Sequence, residues 1–110
     1  MRNVIDAFEV SGPVPPGPVL LVDDRRENLI ALEAVLEPLP CRCVSVMSGE
    51  DALKALLQDE FACVLLDVQM PGMDGFETAE LIKKRERTRT IPIIFVTAIS
   101  KERHNVFRGY

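Results

Sequence analysis

The sequence is poor in the residues that build disulfide frameworks, zinc sites and nucleic-acid surfaces. Its three cysteines, Cys41, Cys43 and Cys63, form an odd set without a CxxC spacing or a His-rich neighbour, so neither a disulfide framework nor a zinc site is expected. We interpret them as reduced, mostly buried thiols. The net charge of −4 disfavours binding to phosphate backbones, so no direct nucleic-acid partner is expected.

Long apolar runs are also missing. No run reaches the ~18 residues of a membrane span, and the N-terminus lacks the basic-then-apolar order of a signal peptide. We therefore predict a cytoplasmic protein without a membrane partner. The 110 residues, 47% of them hydrophobic and 27% charged, indicate one soluble domain that can build a core without disulfides.

The N-terminal residues differ in composition from the rest of the chain. Prolines are concentrated before Val19, which disfavours a helix or a central strand there. Upstream of them, Val4, Ile5 and Phe8 could form a short amphipathic helix, which would need a partner to pack against. Residues 1–17 are thus predicted to be an arm or Pro-rich linker, and residues 18–110 the folded domain.

From Val19 onward, short apolar runs alternate with helical periodicity, a pattern typical of βα units and a parallel sheet. The predicted strands are Val19–Val22, Cys43–Val46, Phe61–Leu66 and Ile93–Val96. The second run, which contains Ser45, is more polar than the others, as expected at a sheet edge. The fold class is therefore α/β.

Helices are predicted between these strands, with a fourth beginning near Ser100 and containing an exposed His104. Ser48 and Asp51 have the spacing of a capping box at the second helix, and Asp74 can cap the third. The apolar positions predict three buried helix faces, formed by Leu29, Leu32 and Leu36; by Ala52, Leu53, Leu56 and Leu57; and by Phe76, Ala79 and Ile82.

Polar side chains follow three of the four predicted strands. Asp23 and Asp24 come after the first, Asp67 after the third and Thr97 after the fourth. Ligands of open parallel sheets bind beyond the carboxyl ends of the strands, so these side chains are expected to converge. Three carboxylates placed together repel one another unless a cation neutralises them. An all-oxygen donor set that leaves room for a phosphate oxygen fits Mg²⁺.

The same residues carry a resemblance to a known family. Asp23-Asp24, the stretch from Asp67 through Met70-Pro71-Gly72 to Gly75, and Thr97-Ala98 resemble the receiver domains of response regulators and hybrid histidine kinases. The resemblance covers residues 18–110. It implies a flavodoxin-like, doubly wound parallel sheet of strand order 2-1-3-4.

The resemblance also implies a role for each matching residue. Asp67 would accept a phosphoryl group from a histidine kinase or phosphotransfer protein, and Asp23 and Asp24 would hold Mg²⁺ together with Asp67. The backbone carbonyl of Gln69 would be the remaining protein ligand. Thr97 would supply a hydroxyl to the phosphoryl group, and Ala98 would be the small residue that leaves space beside it.

The sequence departs from the family pattern at its C-terminal end. The family continues through a fifth βα unit that carries a lysine, whereas this sequence stops at Tyr110, so a domain truncated before that unit and weaker phosphorylation are expected. An uncovered fourth-strand edge is apolar and able to recruit another chain. We therefore expect a homodimer, formed by this edge, by the fourth helix or by the N-terminal arm.

Two other functions remain open from the residues alone. One is a Mg²⁺-dependent phosphohydrolase with an Asp nucleophile; haloacid-dehalogenase-like phosphatases place a second Asp two residues after the nucleophile, where this chain has Gln69. The other is a dimerisation module with a relic acidic pocket. A signalling phosphoacceptor without turnover of external substrates is the leading prediction.

Overall fold

The four apolar runs form one parallel β-sheet. The structure, a computed structural model, describes residues 17–96. The elements in chain order are β1 (Val19–Val22), α1 (Arg26–Leu36), β2 (Cys43–Val46), α2 (Gly49–Gln58), β3 (Cys63–Asp67), α3 (Gly75–Lys84) and β4 (Ile93–Val96). The predictions for the N-terminal arm and the fourth helix lie outside the described residues.

The strand order is β2-β1-β3-β4, and every neighbouring pair is parallel, which confirms the predicted topology. Three strands have the predicted bounds. The third was wrong by a small shift, because it begins at Cys63 and includes Asp67. Ala62 lies just before the first ladder pair, and its N–H donates to the carbonyl of Pro18 at 2.8 Å.

The core has two halves, one on each face of the sheet. Along β1, Val19 and Leu21 pack with the buried face of α1, whereas Leu20 and Val22 pack with α2 and α3. All four residues of β1 are buried, because successive side chains of a strand point to opposite faces and both faces are covered. β2 is only partly buried, as predicted for an edge strand.

Side-chain caps begin two of the helices. The Ser48 hydroxyl accepts a hydrogen bond from the N–H of Asp51 at 3.0 Å, which is the Ser48 half of the capping box predicted at α2. The full reciprocal capping box occurs at α3, where Asp74 and Glu77 each accept from the other's backbone N–H. Among residues 17–96, no helix is long and apolar enough to cross a membrane.

Two predicted core positions were wrong. Leu57 is 53% exposed and Phe76 is 61% exposed. The buried face of α2 centres on Ala52 and Leu56, and Leu57 is rotated away from Leu56 by about 100°. Phe76 is six residues from the buried Ile82, about 240° around the helix, so it points away from the core.

Candidate functional site

The adjacent strands β1 and β3 bring the predicted carboxylates together. Asp23 directly follows β1, Asp67 is the last residue of β3, and Val22 pairs with Leu66 in the ladder between them. One carboxylate oxygen each from Asp23, Asp24 and Asp67 lies within 4.8 Å of the others. The convergence predicted from the strand ends is therefore present for all three residues.

Two members of this acidic cluster are nearly inaccessible to solvent. Asp23 is 3% exposed and Asp67 is 4% exposed, while Asp24 is partly exposed at the rim. Two unit charges separated by 4.8 Å repel by about 3.5 kcal/mol at an effective dielectric constant of about 20. Oxygen donors at this spacing, partly open at one side, fit the preference of Mg²⁺ for a few carboxylates with room left for other ligands.

The carboxylate of Asp23 is held by groups from the start of α1. Its Oδ1 accepts the backbone N–H of Arg25 at 2.9 Å. The side-chain amide of Asn28 lies 3.2 Å from both Oδ1 and Oδ2. These hydrogen bonds fix the plane of the carboxylate, because both oxygens are engaged by donors on one side.

The loop after β3 is shaped by two glycines. Gly72 has a φ of +75°, which favours glycine, and no atom lies within 4 Å of the place where a Cβ would stand. At Gly75 the constraint is space and not backbone conformation, because a Cβ there would overlap the carbonyl oxygen of Asp67. Its N–H donates to the carbonyl of Val68 at 3.1 Å. The start of α3 thus sits directly against the backbone of Asp67.

Of the remaining predicted site residues, only Gln69 lies within the described part of the chain. Gln69 is exposed, and its backbone N–H lies 3.4 Å from Asp67 Oδ1; its predicted role as a carbonyl ligand stays a prediction. Thr97 and Ala98 lie outside the described residues. Val96, the last described residue, pairs with Asp67 in the ladder, so the described part of β4 ends beside the acidic cluster.

Other titratable groups have shifted pKa values for local reasons. Hydrogen bonding to the backbone N–H and then to the Arg25 guanidinium, 2.9 Å away, lowers the pKa of Glu27 below its usual value. Burial, followed by the neighbouring cysteines, raises the pKa of Cys63 to about 11. Burial, followed by Cys41 and Glu33, raises the pKa of Cys43 to about 11. All three cysteines are free, as predicted, but only Cys63 is buried, whereas Cys41 and Cys43 are partly exposed.

Comparison of this sequence with models of known protein families identifies the family to which the chain belongs. The sequence model described as the response regulator receiver domain matches residues 19–108. The chain belongs to the response regulator receiver domain family. The resemblance read from the aspartates and the Met70-Pro71-Gly72 loop is thereby confirmed, and the four-stranded parallel sheet agrees with it.

Curated relatives of this receiver domain include much longer proteins. Hybrid signal transduction histidine kinase L of Dictyostelium discoideum is 38% identical over 95 residues, which is 84% of this chain and 5% of that protein. Sensor protein GacS of Pseudomonas syringae pv. syringae is 42% identical over 83 residues, which is 73% of this chain and 9% of that protein. The receiver domain spans less than a tenth of each of these relatives.

Solved structures show the same fold. The N-terminal domain of a response regulator receiver protein from Methanoculleus marisnigri JR1 is 36% identical with a TM-score of 0.72, and the match covers 87% of this chain and 80% of that one. A chain from the crystal structure of histidine kinase ThkA in complex with response regulator protein TrrA is 32% identical with a TM-score of 0.69, and that match covers 80% of this chain and 74% of that one.

Proposed function

We propose that this receiver domain is a phosphorylation switch of a two-component system, with Asp67 as the phosphoacceptor. The observation that supports this most directly is the position of Asp67. It ends an interior strand, is 4% exposed, and lies within 4.8 Å of two further carboxylates in a chain of the receiver family. Asp23, Asp24, Asp67 and the carbonyl of Gln69 are the proposed ligands of Mg²⁺.

In the proposed reaction, one Asp67 carboxylate oxygen attacks the phosphorus of a phosphohistidine or a small acyl phosphate. The new O–P bond forms as the P–N bond of phosphohistidine, or the P–O bond of the acyl phosphate, breaks, and the leaving group takes that electron pair. Bound Mg²⁺ supplies neutralising charge for the phosphoryl oxygens. The chain contributes by fixing the nucleophile, because β3 and the start of α3 hold the backbone of Asp67 on both sides.

The proposed phosphodonor is a histidine kinase or a phosphotransfer protein in the cytoplasm. A related chain occurs in the solved complex of histidine kinase ThkA with response regulator protein TrrA, and two relatives are themselves named as histidine kinase or sensor proteins. The product is a stoichiometric acyl phosphate on Asp67, so we propose a signalling module without turnover of an external substrate.

The test is labelling of the purified protein by acetyl phosphate with and without Mg²⁺. We expect at most one phosphoryl group per chain, which hydroxylamine should release because it cleaves acyl phosphates. Asp67→Asn should abolish the label. Asp59→Asn is the matched control, because Asp59 is an exposed carboxylate at the end of α2, and it should label like wild type.

Two outcomes would contradict the proposed function. Repeated hydrolysis of an external phosphate ester that depends on Asp67 would support the phosphohydrolase instead. Labelling that persists in Asp67→Asn, or a protein that does not respond to Mg²⁺ at all, would leave the acidic cluster as a relic.

A further inference from the structure

Asn28 is the residue whose contacts the proposed chemistry leaves unexplained. It lies in the first turn of α1, and its side-chain amide nitrogen is 3.2 Å from both carboxylate oxygens of Asp23. A carboxylate only accepts hydrogen bonds, so the NH₂ end of the amide faces it. The NH₂ group cannot itself coordinate a metal ion, because it is a hydrogen-bond donor with no lone pair free to bind a cation.

The neighbouring residues fix where this amide can point. Leu29, the next residue of α1, is 5% exposed and belongs to the core half that packs on β1. The backbone N–H of Asn28 donates to the carbonyl of Arg25 at 3.0 Å, which closes the first turn of the helix. The amide is therefore carried by a helix that is itself anchored on the sheet.

We propose that Asn28 is a positioning residue for the Mg²⁺ site, which orients the carboxylate of Asp23 before the ion arrives. This inference rests on the proposed function, since it assigns Asn28 to the same site. By engaging both oxygens from the α1 side, the amide holds the carboxylate in one rotamer. Groups that orient a metal ligand in this way typically change metal affinity by about 10- to 100-fold.

A role of Asn28 in stability alone would have a different effect on Mg²⁺ binding from a positioning role. Leucine is similar to asparagine in size and has the higher intrinsic helix propensity, so Asn28→Leu should not weaken α1. If Asn28 only stabilised the fold, this substitution would leave Mg²⁺ binding unchanged in the folded protein. If Asn28 positions Asp23, the variant remains folded and binds Mg²⁺ more weakly.

The experiment is calorimetric titration of Mg²⁺ into wild type, Asn28→Leu and Gln58→Leu, without a phosphodonor. Gln58 is the matched control, because it is an exposed amide residue at the end of α2. We expect the Kd for Mg²⁺ to rise about 10- to 100-fold in Asn28→Leu and to change by less than about twofold in Gln58→Leu. Asn28→Ala is the second variant, in case leucine disturbs the fold.

A kinetic readout separates positioning from catalysis. The Mg²⁺ concentration that gives half-maximal labelling by acetyl phosphate should rise by the same factor as the Kd, while the rate at saturating Mg²⁺ stays within about threefold of wild type. A lower maximal rate at an unchanged Mg²⁺ requirement would overturn the positioning role.

The outcomes also separate this inference from the proposed function. Equal Mg²⁺ affinity in wild type and both Asn28 variants, with Asp67 still phosphorylated, would overturn the role of Asn28 alone. Weaker Mg²⁺ binding in the variants of a protein that never accepts phosphate would support Asn28 and overturn the switch. A wild-type protein that binds no Mg²⁺ would overturn both.

Discussion

Substitution of Gly75 by alanine should destabilise the domain through a backbone collision. A Cβ at this position would overlap the carbonyl oxygen of Asp67 and stand 2.7 Å from Val68 Cα. Both obstacles are main-chain atoms, so no side-chain rotation relieves them, and the start of α3 must move away from β3 by about 1 Å. Overpacking typically costs about 1–3 kcal/mol, and we expect the upper part of that range here.

Urea unfolding followed by circular dichroism measures this effect. With an m-value of about 1–2 kcal/mol/M for a domain of this size, the urea midpoint for Gly75→Ala should fall by about 1–3 M. Because the displaced atom belongs to Asp67, labelling of the folded variant by acetyl phosphate should slow as well.

Gly72 provides the matched control for this argument. It has a φ of +75° and open space around it, so Gly72→Ala tests the backbone conformation without a collision. We expect a cost of about 1 kcal/mol, most of which Gly72→Asn should avoid because asparagine tolerates the left-handed region. A Gly75→Ala protein within about 0.5 kcal/mol of wild type would refute the close approach of α3 to Asp67.

Four other properties are expected. Asp67→Asn should stabilise the Mg²⁺-free protein by about 1–3 kcal/mol, because it relieves the repulsion among the carboxylates, and a lower melting temperature of this variant without Mg²⁺ would argue against that repulsion. The variant should also gain less from Mg²⁺ than wild type, for which the stabilisation is about 2.7 kcal/mol at a hundredfold excess over Kd. Thr88→Val should cost about 1–3 kcal/mol in urea unfolding, because the buried Thr88 hydroxyl donates to the carbonyl of Ile82 at 2.7 Å; a neutral result would show that water replaces this donor. Burial raises the pKa of the Cys63 thiol from 9.0 to about 11, so the neutral thiol's contribution to the free energy of unfolding is complete below pH 9 and is lost as the pH rises towards 11. Cys63→Val should therefore flatten the decline in stability between pH 9 and pH 11, and an unchanged decline would contradict this. Light scattering at several dilutions should show a dimer that Phe95→Ser weakens, because Phe95 and its neighbour Phe76 are 40% and 61% exposed and form an apolar surface that a second chain can cover. A monomer at every dilution would refute this assembly.

The sequence predicted the strands better than the helix surfaces. Unbroken apolar runs such as Val19–Val22 predict buried strands, because a strand covered on both faces is apolar at every position. Helix faces are less determined, since apolar residues such as Leu57 and Phe76 also occur on exposed faces. Phe76 instead contacts Phe95 in a tilted arrangement, with ring centroids 5.1 Å apart and ring planes at 46°. Helical periodicity does not encode such a contact between distant parts of the chain.

The three carboxylates of the site were predictable because strand ends and parallel order place them together. Asn28 was missed, although one signal was available: it is a polar residue five positions after Asp23, in the first turn of the helix that follows. That spacing lets its side chain reach back to the strand end, but only the structure shows which atoms it contacts. The tight fit of Gly75 against Asp67 likewise depends on the approach of α3 to β3.

Localisation of the phosphoryl group tests the central claim most directly. The protein is treated with acetyl phosphate and Mg²⁺, the acyl phosphate is trapped by borohydride reduction, and the modified peptide is sequenced by tandem mass spectrometry. The account predicts that the reduced residue is Asp67 and that the modification disappears without Mg²⁺. A reduced residue at Asp23 instead of Asp67, or a phosphate retained on Thr97 or His104, would contradict it.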